Sequence, residues 1–315
     1  MSRTVQLSFV IPVYNGSHTI GPVVARIHEL FRDDAFEVVL VNDGSPDDTE
    51  QVCRALQQRH PETVVFAHLA KNFGEHNAVL AGLNLATGAY VAILDDDGQN
   101  PPEEVRRMYD EIRARGHDVV YGRYTIKHHS LFRNLGSRFN DLIANIMLKK
   151  PRDLYLSSFK IMNQFLLQEI TRYRGPFPYI DGLILRTTRN IGQIDVEHRE
   201  RPAGRTTYTP RKLFLLWLNM LLSFSILPLR LAALVGTFSS LASLVLLGAI
   251  VIDKLYVNPG VAVGIPTVLA TIVFFSGVQL VILGTLGEYL GRLFLDQTKS
   301  PQFVVRYVLG RGSGE

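Results

Sequence analysis

Residues 90–102 read Tyr-Val-Ala-Ile-Leu-Asp-Asp-Asp-Gly-Gln-Asn-Pro-Pro, and this stretch decides the fold class. The apolar run Tyr90–Leu94 has the length of a buried strand, and the Asp-Asp-Asp-Gly that follows ends it. The next residues, Pro101-Pro102-Glu103-Glu104, are typical of the first turn of a helix. The stretch therefore predicts a strand, an acidic loop and a helix in succession.

The same alternation extends over the first third of the chain. Short β-rich runs predict strands at Leu7–Val13, Phe36–Val41, Val64–Leu69, Tyr90–Leu94 and Asp118–Tyr121. The segments between them predict helices at Thr19–Phe31, Asp47–Gln58, Glu75–Ala86 and Pro102–Arg115. Strands that alternate with helices indicate an α/β fold with a mainly parallel, Rossmann-like sheet and helices on both faces.

Polar clusters follow three of the predicted strands. They are Pro12-Val13-Tyr14-Asn15, Asn42-Asp43-Gly44-Ser45 and Asp95-Asp96-Asp97-Gly98-Gln99. Ligands of parallel sheets bind at the carboxyl ends of the strands, so three such ends at one edge predict a site. Asn-Asp-Gly-Ser taken alone is also ordinary turn chemistry, and that alternative stays open for the second cluster.

The three adjacent aspartates predict a divalent cation. Carboxylates at positions 95–97 repel one another unless a cation lies among them, and oxygen ligands suit Mg²⁺ or Mn²⁺. Such an ion would bridge a diphosphate and neutralise it as it leaves. The alternative is an acidic turn exposed to solvent.

Other motifs and the composition exclude several classes of protein. The chain has no G-x-x-x-x-G-K phosphate loop, no glycine-rich dinucleotide motif after a strand and no H-E-x-x-H zinc motif. A net charge of +4 is too small to indicate a nucleic-acid partner. Cys53 is the only cysteine, so no internal disulfide forms and a cytosolic location is permitted.

A long segment of the chain is nearly free of charge. Only Arg230, Asp253 and Lys254 are charged between Leu213 and Gly287, where the average share of 20% predicts about fifteen. The two uncharged runs Leu231–Ile252 and Ile265–Leu286 each reach the length that crosses a bilayer, which predicts two transmembrane helices. A pair of buried core helices is the alternative.

The residues that flank these runs predict the topology. Arg211, Lys212 and Trp217 introduce an apolar stretch closed by Pro228, which indicates an interfacial helix. Basic residues on both outer flanks favour two spans with both termini cytoplasmic, and three spans are the alternative. The predicted organisation is a cytosolic catalytic domain at 1–210, the interfacial helix at 211–228, two transmembrane helices within 229–290 and a basic cytosolic tail at 291–315.

Six motifs, in order along the chain, resemble those of the family-two glycosyltransferases with a GT-A fold. They are Ile11-Pro-Val-Tyr-Asn15, Val41-Asn-Asp-Gly-Ser45, Lys71-Asn-Phe-Gly74, Leu94-Asp-Asp-Asp-Gly-Gln-Asn-Pro-Pro102, Arg201-Pro-Ala-Gly204 and Gly287-Glu-Tyr-Leu-Gly-Arg292. More narrowly, the chain resembles the polyprenyl-phosphate glycosyltransferases, the bacterial relatives of dolichyl-phosphate mannose synthase. The resemblance covers nearly the whole chain, including both predicted spans.

The resemblance implies roles for individual residues. The nucleoside side of the donor would be held by Pro12, Tyr14, Asn15, Asp43, Asp95 and Asp96, with Asp43 facing the base. The divalent ion, Mg²⁺ or Mn²⁺, would be held by Asp95, Asp97 and Gln99. The phosphates of donor and acceptor would be bound by Arg123, Arg133, Arg201 and Arg205. The catalytic set would be Asp97, Arg201 and the residue at position 158.

Three departures from the family pattern concern the site. Gly16 stands where relatives usually have Glu, and Thr207 stands where they commonly have Lys before the aromatic Tyr208. Ser158 replaces an aspartate sometimes proposed as the base. The last change is tolerable, because a phosphate monoester has its second pKa near 6 and is already largely dianionic at neutral pH.

The expected function is metal-dependent transfer of a sugar from a nucleotide-diphosphate donor, commonly a UDP-sugar, to polyprenyl phosphate, with inversion. The reaction would take place at the cytoplasmic face of the membrane, and the resemblance favours a homo-oligomer. One alternative is a processive polysaccharide synthase, although Trp217 lacks the Gln-x-x-Arg-Trp context of that group. The other is a membrane-anchored scaffold that binds sugar nucleotides without turnover.

Overall fold

The computed structural model describes residues 4–124, 151, 153–175, 178–197, 199, 264–297 and 301–310, with isolated positions and short runs between 229 and 256. It divides into two compact units. The first comprises Met1–Thr209 together with Lys299–Glu315, and the second is the intervening segment Pro210–Thr298. The first unit is therefore built from both sides of the apolar segment.

Among the described residues of the first unit, eight strands form one mixed sheet. In chain order the strands are β1 (Leu7–Val13), β2 (Phe36–Asn42), β3 (Val64–Leu69), β4 (Tyr90–Ile93), β5 (Val119–Tyr124), β6 (Lys160–Asn163), β7 (Ile191–Val196) and β8 (Val305–Leu309). Their spatial order is β7-β5-β6-β4-β1-β2-β3-β8. β6 and β8 run opposite to the others, so the predicted mainly parallel sheet is confirmed.

The described residues of the first unit include six helices. They are α1 (Ile20–Phe31), α2 (Thr49–Arg59), α3 (Glu75–Leu85), α4 (Pro102–Arg115), α5 (Gln164–Thr171) and α6 (Ile180–Thr187). The five predicted strands and four predicted helices are all present, with ends displaced by no more than a few residues. Every residue of β1, β2 and β3 is buried, which explains why these strands are mostly apolar and do not alternate between apolar and polar residues.

The hydrophobic core shows why α1 packs against the sheet. Phe9 of β1 contacts Phe31 of α1 edge-to-face, with ring centroids 4.9 Å apart. Val24 and Ile27 of α1 are fully buried on the same helix face. On another helix, α3, a Cβ on Gly82 would come within 2.5 Å of Val10 of β1, so only glycine permits this close approach.

The second unit contains the helix α7 (Ile265–Gln297). It begins where the second predicted span begins and continues past Leu286. Its segment Phe274–Gly291 is the one stretch, among the residues described, that is long and apolar enough to cross a membrane. Phe274, Leu280 and Phe294 are among its exposed apolar side chains. Exposure of this kind along a helix of 33 residues, about 50 Å, is typical of a membrane helix.

The other membrane predictions lie only partly within the description. Described positions between 229 and 252 are helical, and Leu234, Phe238 and Val245 among them are exposed. The predicted interfacial helix at 211–228 lies outside the described residues.

Candidate active site

The predicted polar clusters meet where the strand order reverses. β1 lies between β4 and β2, all three parallel, so the loops after these strands leave the same edge of the sheet. The chain proceeds from β1 to β2 on one side and reaches β4 on the other, which makes the β1–β4 boundary a topological switch point. Ligand crevices of α/β sheets form at such points.

The loop after β1 is held through three consecutive backbone N–H groups. Tyr14 donates to Asp96 Oδ2 at 3.1 Å, Asn15 to Ser45 Oγ at 3.1 Å and Gly16 to Thr49 Oγ1 at 3.0 Å. The acceptors come from the loops after β4 and β2 and from the start of α2. Tyr14 remains 42% exposed at this edge, whereas Pro12 is buried within β1. The predicted nucleoside residues are thus brought together around one loop.

Gly16 is required by its surroundings. A Cβ at this position would lie 2.4 Å from Asp96 Oδ2 and 2.7 Å from Val13 Cγ1, closer than real Cβ atoms approach other atoms. The departure from the family pattern at this position is therefore coupled to the contact that Asp96 makes with the Tyr14 backbone.

Asp43 accepts two backbone hydrogen bonds from the loop between β3 and α3. Its Oδ1 accepts from Phe73 N at 2.7 Å and its Oδ2 from Gly74 N at 2.9 Å. The neighbouring Gly44 has φ of +61°, and a Cβ there would lie 2.5 Å from the Lys71 carbonyl carbon. Burial raises the pKa of Asp43 to about 6, although the two N–H donors oppose the shift. Each carboxylate oxygen has two acceptor positions, so a base N–H can still be accepted.

Asp95 is the centre of a hydrogen-bonded group at the end of β4. Ser158 Oγ and Asn100 Nδ2 donate to Asp95 Oδ2 at 2.7 and 2.9 Å, and Tyr124 OH donates to Asn100 Oδ1 at 2.8 Å. Burial, followed by the charge of Glu75, raises the pKa of Asp95 to about 6, and Asp97 adds to this effect. Negative charge is therefore concentrated here beyond what the neighbouring donors offset.

The acidic loop continues through Asp97 and Gln99. Asp97 is 8% exposed, and its Oδ1 accepts from Gln99 N at 3.0 Å. The loop also holds the chain after β7, because Arg199 N donates to Gln99 O at 3.0 Å and Gln99 Nε2 donates to Arg199 O at 3.3 Å. Arg201 follows two residues later and lies outside the described residues.

The donor set fits a divalent cation. Asp95 and Asp97 supply two carboxylates within a region of excess negative charge, and Mg²⁺ is commonly bound by one or two carboxylates together with substrate phosphates and water. No group of three or more His, Cys, Asp or Glu residues able to hold a metal occurs among the residues that the structure describes.

Sequence reasoning did not find the buried ion pair of Lys160 and Asp181. Lys160 is 3% exposed, its Nζ contacts Asp181 Oδ1, and Tyr121 OH donates to the same oxygen at 2.9 Å. Because β6 runs antiparallel, its first residue reaches the edge where β4 ends, two residues from Ser158. The sequence offers one signal for Lys160, which is that it lies two residues after Ser158, where the chain departs from the family pattern.

Of the four arginines predicted at phosphates, the structure describes only Arg123. Its guanidinium binds Asp195 through two hydrogen bonds, Nε to Oδ1 at 2.5 Å and Nη2 to Oδ2 at 3.0 Å. Both side chains are about half exposed. An exposed pair of this kind contributes little to stability, because water screens the two charges, so a phosphate could displace Asp195. Arg133 and Arg205, like Arg201, lie outside the described residues.

The mainly parallel α/β sheet, with its acidic loop at the switch point, agrees with the GT-A fold that the sequence motifs resemble. The chain belongs to glycosyl transferase family 2, whose pattern matches residues 8–174. It is an enzyme that transfers sugars, and the resemblance drawn from its motifs is confirmed.

Curated relatives match over almost the whole chain. The undecaprenyl-phosphate 4-deoxy-4-formamido-L-arabinose transferase of Yersinia enterocolitica is 30% identical over 97% of this chain and 94% of its own length. The protein of the same name from Serratia proteamaculans is 29% identical over the same shares.

Solved structures show the same fold. Glucosyl-3-phosphoglycerate synthase from Mycobacterium tuberculosis, in complex with uridine diphosphate, superposes with a TM-score of 0.52 at 19% identity, over 69% of this chain and 79% of that one. A second structure of this enzyme has a TM-score of 0.50 over 69% and 80% of the two chains.

Proposed function

We propose that the protein transfers a sugar from a nucleotide-diphosphate sugar, with UDP as the expected nucleotide, to undecaprenyl phosphate at the cytoplasmic face of the membrane. The observation that carries the proposal is the interlocking of the acidic loop, the Tyr14–Gly16 loop and Asp43 at one edge of the sheet. The names of the curated relatives support the lipid acceptor, since they match 97% of the chain.

The nucleoside would lie between Tyr14 and Asp43. Tyr14 is exposed on a loop fixed by its own backbone, so its ring offers a stationary surface for the nucleoside. Asp43 is held by two backbone donors and faces the base as an acceptor. Asp96 receives the Tyr14 N–H and would lie beside the ribose and the first phosphate.

The diphosphate would be bound at Asp95, Asp97 and Gln99 together with Mg²⁺ or Mn²⁺. The bound ion would supply positive charge that stabilises the nucleoside diphosphate as it departs. Ser158 and Asn100 orient the Asp95 carboxylate through its Oδ2. We assign Ser158 this orienting role, and it cannot act as a strong base.

The acceptor phosphate needs orientation more than deprotonation. Its second pKa near 6 leaves it largely dianionic at neutral pH, so its oxygen can attack the anomeric carbon directly, from the side opposite the leaving group, with inversion. The donor diphosphate and the acceptor phosphate are anions that repel each other. Arginines can hold both in place, because the planar guanidinium donates two parallel hydrogen bonds to phosphate oxygens. Arg201, two residues from the segment tethered to Gln99, is the leading candidate, with Arg123, Arg133 and Arg205 as further ones.

Chain connectivity supports two membrane spans. Strand β8 follows the apolar segment yet pairs with β3 of the sheet that precedes it. A chain that leaves a folded unit and rejoins it must cross a bilayer an even number of times. The predicted spans 231–252 and 265–286 satisfy this condition, and three spans do not.

The topology can be tested by labelling with a membrane-impermeant maleimide. Cys53 is buried, so the native protein has little background reactivity. We expect Asn258→Cys, in the connector between the spans, to react in intact cells, and Ser313→Cys, in the tail, to react only after permeabilisation. Reaction of both or of neither in intact cells would contradict two spans with the termini inside.

The reaction can be tested with the purified full-length protein, undecaprenyl phosphate, radiolabelled sugar nucleotides and Mg²⁺ or Mn²⁺. We expect one donor to give a lipid-linked monosaccharide, and undecaprenol without its phosphate to give none. A polymeric product would instead support the processive synthase. Binding of a donor without any lipid-linked product would support the scaffold and overturn the proposal.

A further inference from the structure

Strand β8 places an aromatic residue against the end of β3. Tyr307 lies directly opposite His68 in the β3–β8 register, and the two rings stack with centroids 5.3 Å apart and planes 24° from parallel. Tyr307 is itself held in place, because its OH donates to Glu50 Oε1 at 2.6 Å and accepts from Arg54 Nη2 at 2.9 Å. The ring that covers His68 therefore has a fixed position.

His68 in turn contacts Asn42, the last residue of β2. Asn42 Nδ2 and His68 Nδ1 are 3.1 Å apart, and both groups are buried. The orientation of the Asn42 amide is not ambiguous, because its Oδ1 accepts the backbone N–H of Ser45 at 3.0 Å and a backbone N–H can only donate. Nδ2 therefore faces His68, and His68 Nδ1 must be the acceptor.

From Asn42 the contacts continue to the loop after β1. Ser45 Oγ donates to Asn42 Oδ1 at 2.7 Å and accepts from Asn15 N at 3.1 Å. Asn15 has φ of +56° and is the one non-glycine residue with positive φ among those described. A residue in this conformation persists when its surroundings hold it there, and Ser45 is one of the groups that do so. The chain of contacts ends beside Tyr14.

We infer that His68 and Tyr307 are positioning residues of the donor pocket, acting through Asn42 and Ser45 on the Tyr14–Asn15 loop. Without an acceptor at position 68, Asn42 Nδ2 would be left buried and unpaired. Rotation of the amide relieves this, but it removes Oδ1 from Ser45 and so releases the Asn15 backbone. The last strand of the chain, which follows the apolar segment, thus helps to shape the nucleotide site.

The inference rests on the proposed function only in taking this loop as part of a nucleotide pocket. The test is the affinity of full-length variants for UDP with Mg²⁺, alongside their melting temperatures. We expect His68→Leu to weaken UDP binding about fivefold to tenfold, because it removes the acceptor of Asn42 Nδ2, and Tyr307→Ala about threefold, because it removes the ring that holds His68 in place. His68→Gln keeps an acceptor and should restore binding to within about twofold.

The matched control is His28→Leu. The ring of His28 also makes polar contacts, with Val24 O and Thr63 Oγ1, but His28 lies near the beginnings of β2 and β3. We expect this variant to lower the melting temperature without changing UDP affinity. A general loss of stability would affect both histidine variants alike.

The outcomes separate the inference from the function. If the wild-type protein binds none of UDP, GDP, ADP and CDP, the proposed function fails. If it binds one of them, and His68→Leu and Tyr307→Ala bind it as tightly as wild type, the inference is overturned. Should His68→Leu not fold, Tyr307→Ala and His68→Gln decide the question.

Discussion

The two edges of the central sheet both contain buried carboxylates, but their surroundings differ. At the edge where β1 and β2 begin, Glu37 is 1% exposed and its Oε1 accepts from Ser8 Oγ, Thr87 N and Thr87 Oγ1 at 2.6 to 2.9 Å. At the opposite edge, burial raises the pKa of Asp43 and of Asp95 to about 6 despite their hydrogen bonds. The three hydrogen bonds that Glu37 accepts stabilise the fold, whereas buried carboxylates with a raised pKa at the carboxyl ends of the strands mark a candidate ligand site.

The largest expected effect follows from removing one charge at the ligand edge. Asp97→Asn keeps the oxygen that accepts Gln99 N, so the fold should persist. Turnover should fall by about a thousandfold or more, because the variant loses a carboxylate predicted to bind the metal. Steady-state kinetics and circular dichroism measure the two properties, and activity near that of wild type would refute a metal role for Asp97.

At the edge where β1 and β2 begin, a substitution should lower the stability of the fold and leave ligand affinity unchanged. Glu37→Leu leaves Ser8 Oγ and two donors of Thr87 without their acceptor, which should lower the free energy of unfolding by about 3 kcal/mol. The folded fraction should retain wild-type donor affinity. Urea unfolding together with UDP titration checks both properties, and a loss of affinity without a loss of stability would show that the two edges are not separate.

Asp43 predicts a pH dependence of nucleotide binding. Its pKa is raised from 3.8 to about 6, so the stability gained from protonating it in the folded state is present below pH 3.8 and lost as pH rises towards 6. The ionised form that accepts a base N–H appears over the same rise. UDP affinity should therefore fall about tenfold per pH unit below 6.

The control for this pH dependence is Asp43→Asn, which removes the titrating group. UDP and its metal complex titrate in the same range, so the measured quantity is the ratio of wild-type to variant affinity between pH 5 and 7.5. A constant ratio would show that Asp43 does not respond in this way.

The smallest effect is expected at the exposed pair of Arg123 and Asp195. Asp195→Ala frees the guanidinium, and the KM for undecaprenyl phosphate should fall about twofold if Arg123 binds a phosphate. Arg123→Ala should raise the KM by a similar factor. The melting temperatures of both variants should stay close to wild type, and unchanged KM values would restrict Arg123 to a structural pair.

Local sequence patterns were sufficient to predict the strands and helices of residues 7–115. Each predicted strand and helix there is a continuous segment with its own period and end signals, and these signals are independent of the rest of the chain. After Tyr121 the local patterns predict no element before residue 211. β6 is four residues long and contains the buried Lys160, so its sequence does not resemble a core strand. β8 lies within residues 291–315, where the sequence predicts only a basic tail.

The residues of the candidate site also divide into those that local patterns predict and those that they do not. Asp43 and Asp95–Asp97 were found because they follow apolar strands directly, and parallel strands bring such ends to one edge. Lys160, Asp181 and His68 were not found, because their partners lie on other elements and no spacing in the sequence connects them. The sequence shows only that Ser158 stands where relatives have an aspartate. Its hydrogen bond to Asp95 Oδ2 depends on the pairing of β6 with β4.

The sequence by itself determined the α/β class, the acidic edge and the apolar segment, because each of these depends on residues that are neighbours along the chain. Only the tertiary structure decided that β6 runs in reverse and brings Ser158 to Asp95, that a Cβ on Gly16 would clash with Asp96 and Val13, and that β8 rejoins the sheet after the apolar segment. Strand direction and edge pairing are set by contacts between distant residues, and local periodicity carries no information about which distant strands meet.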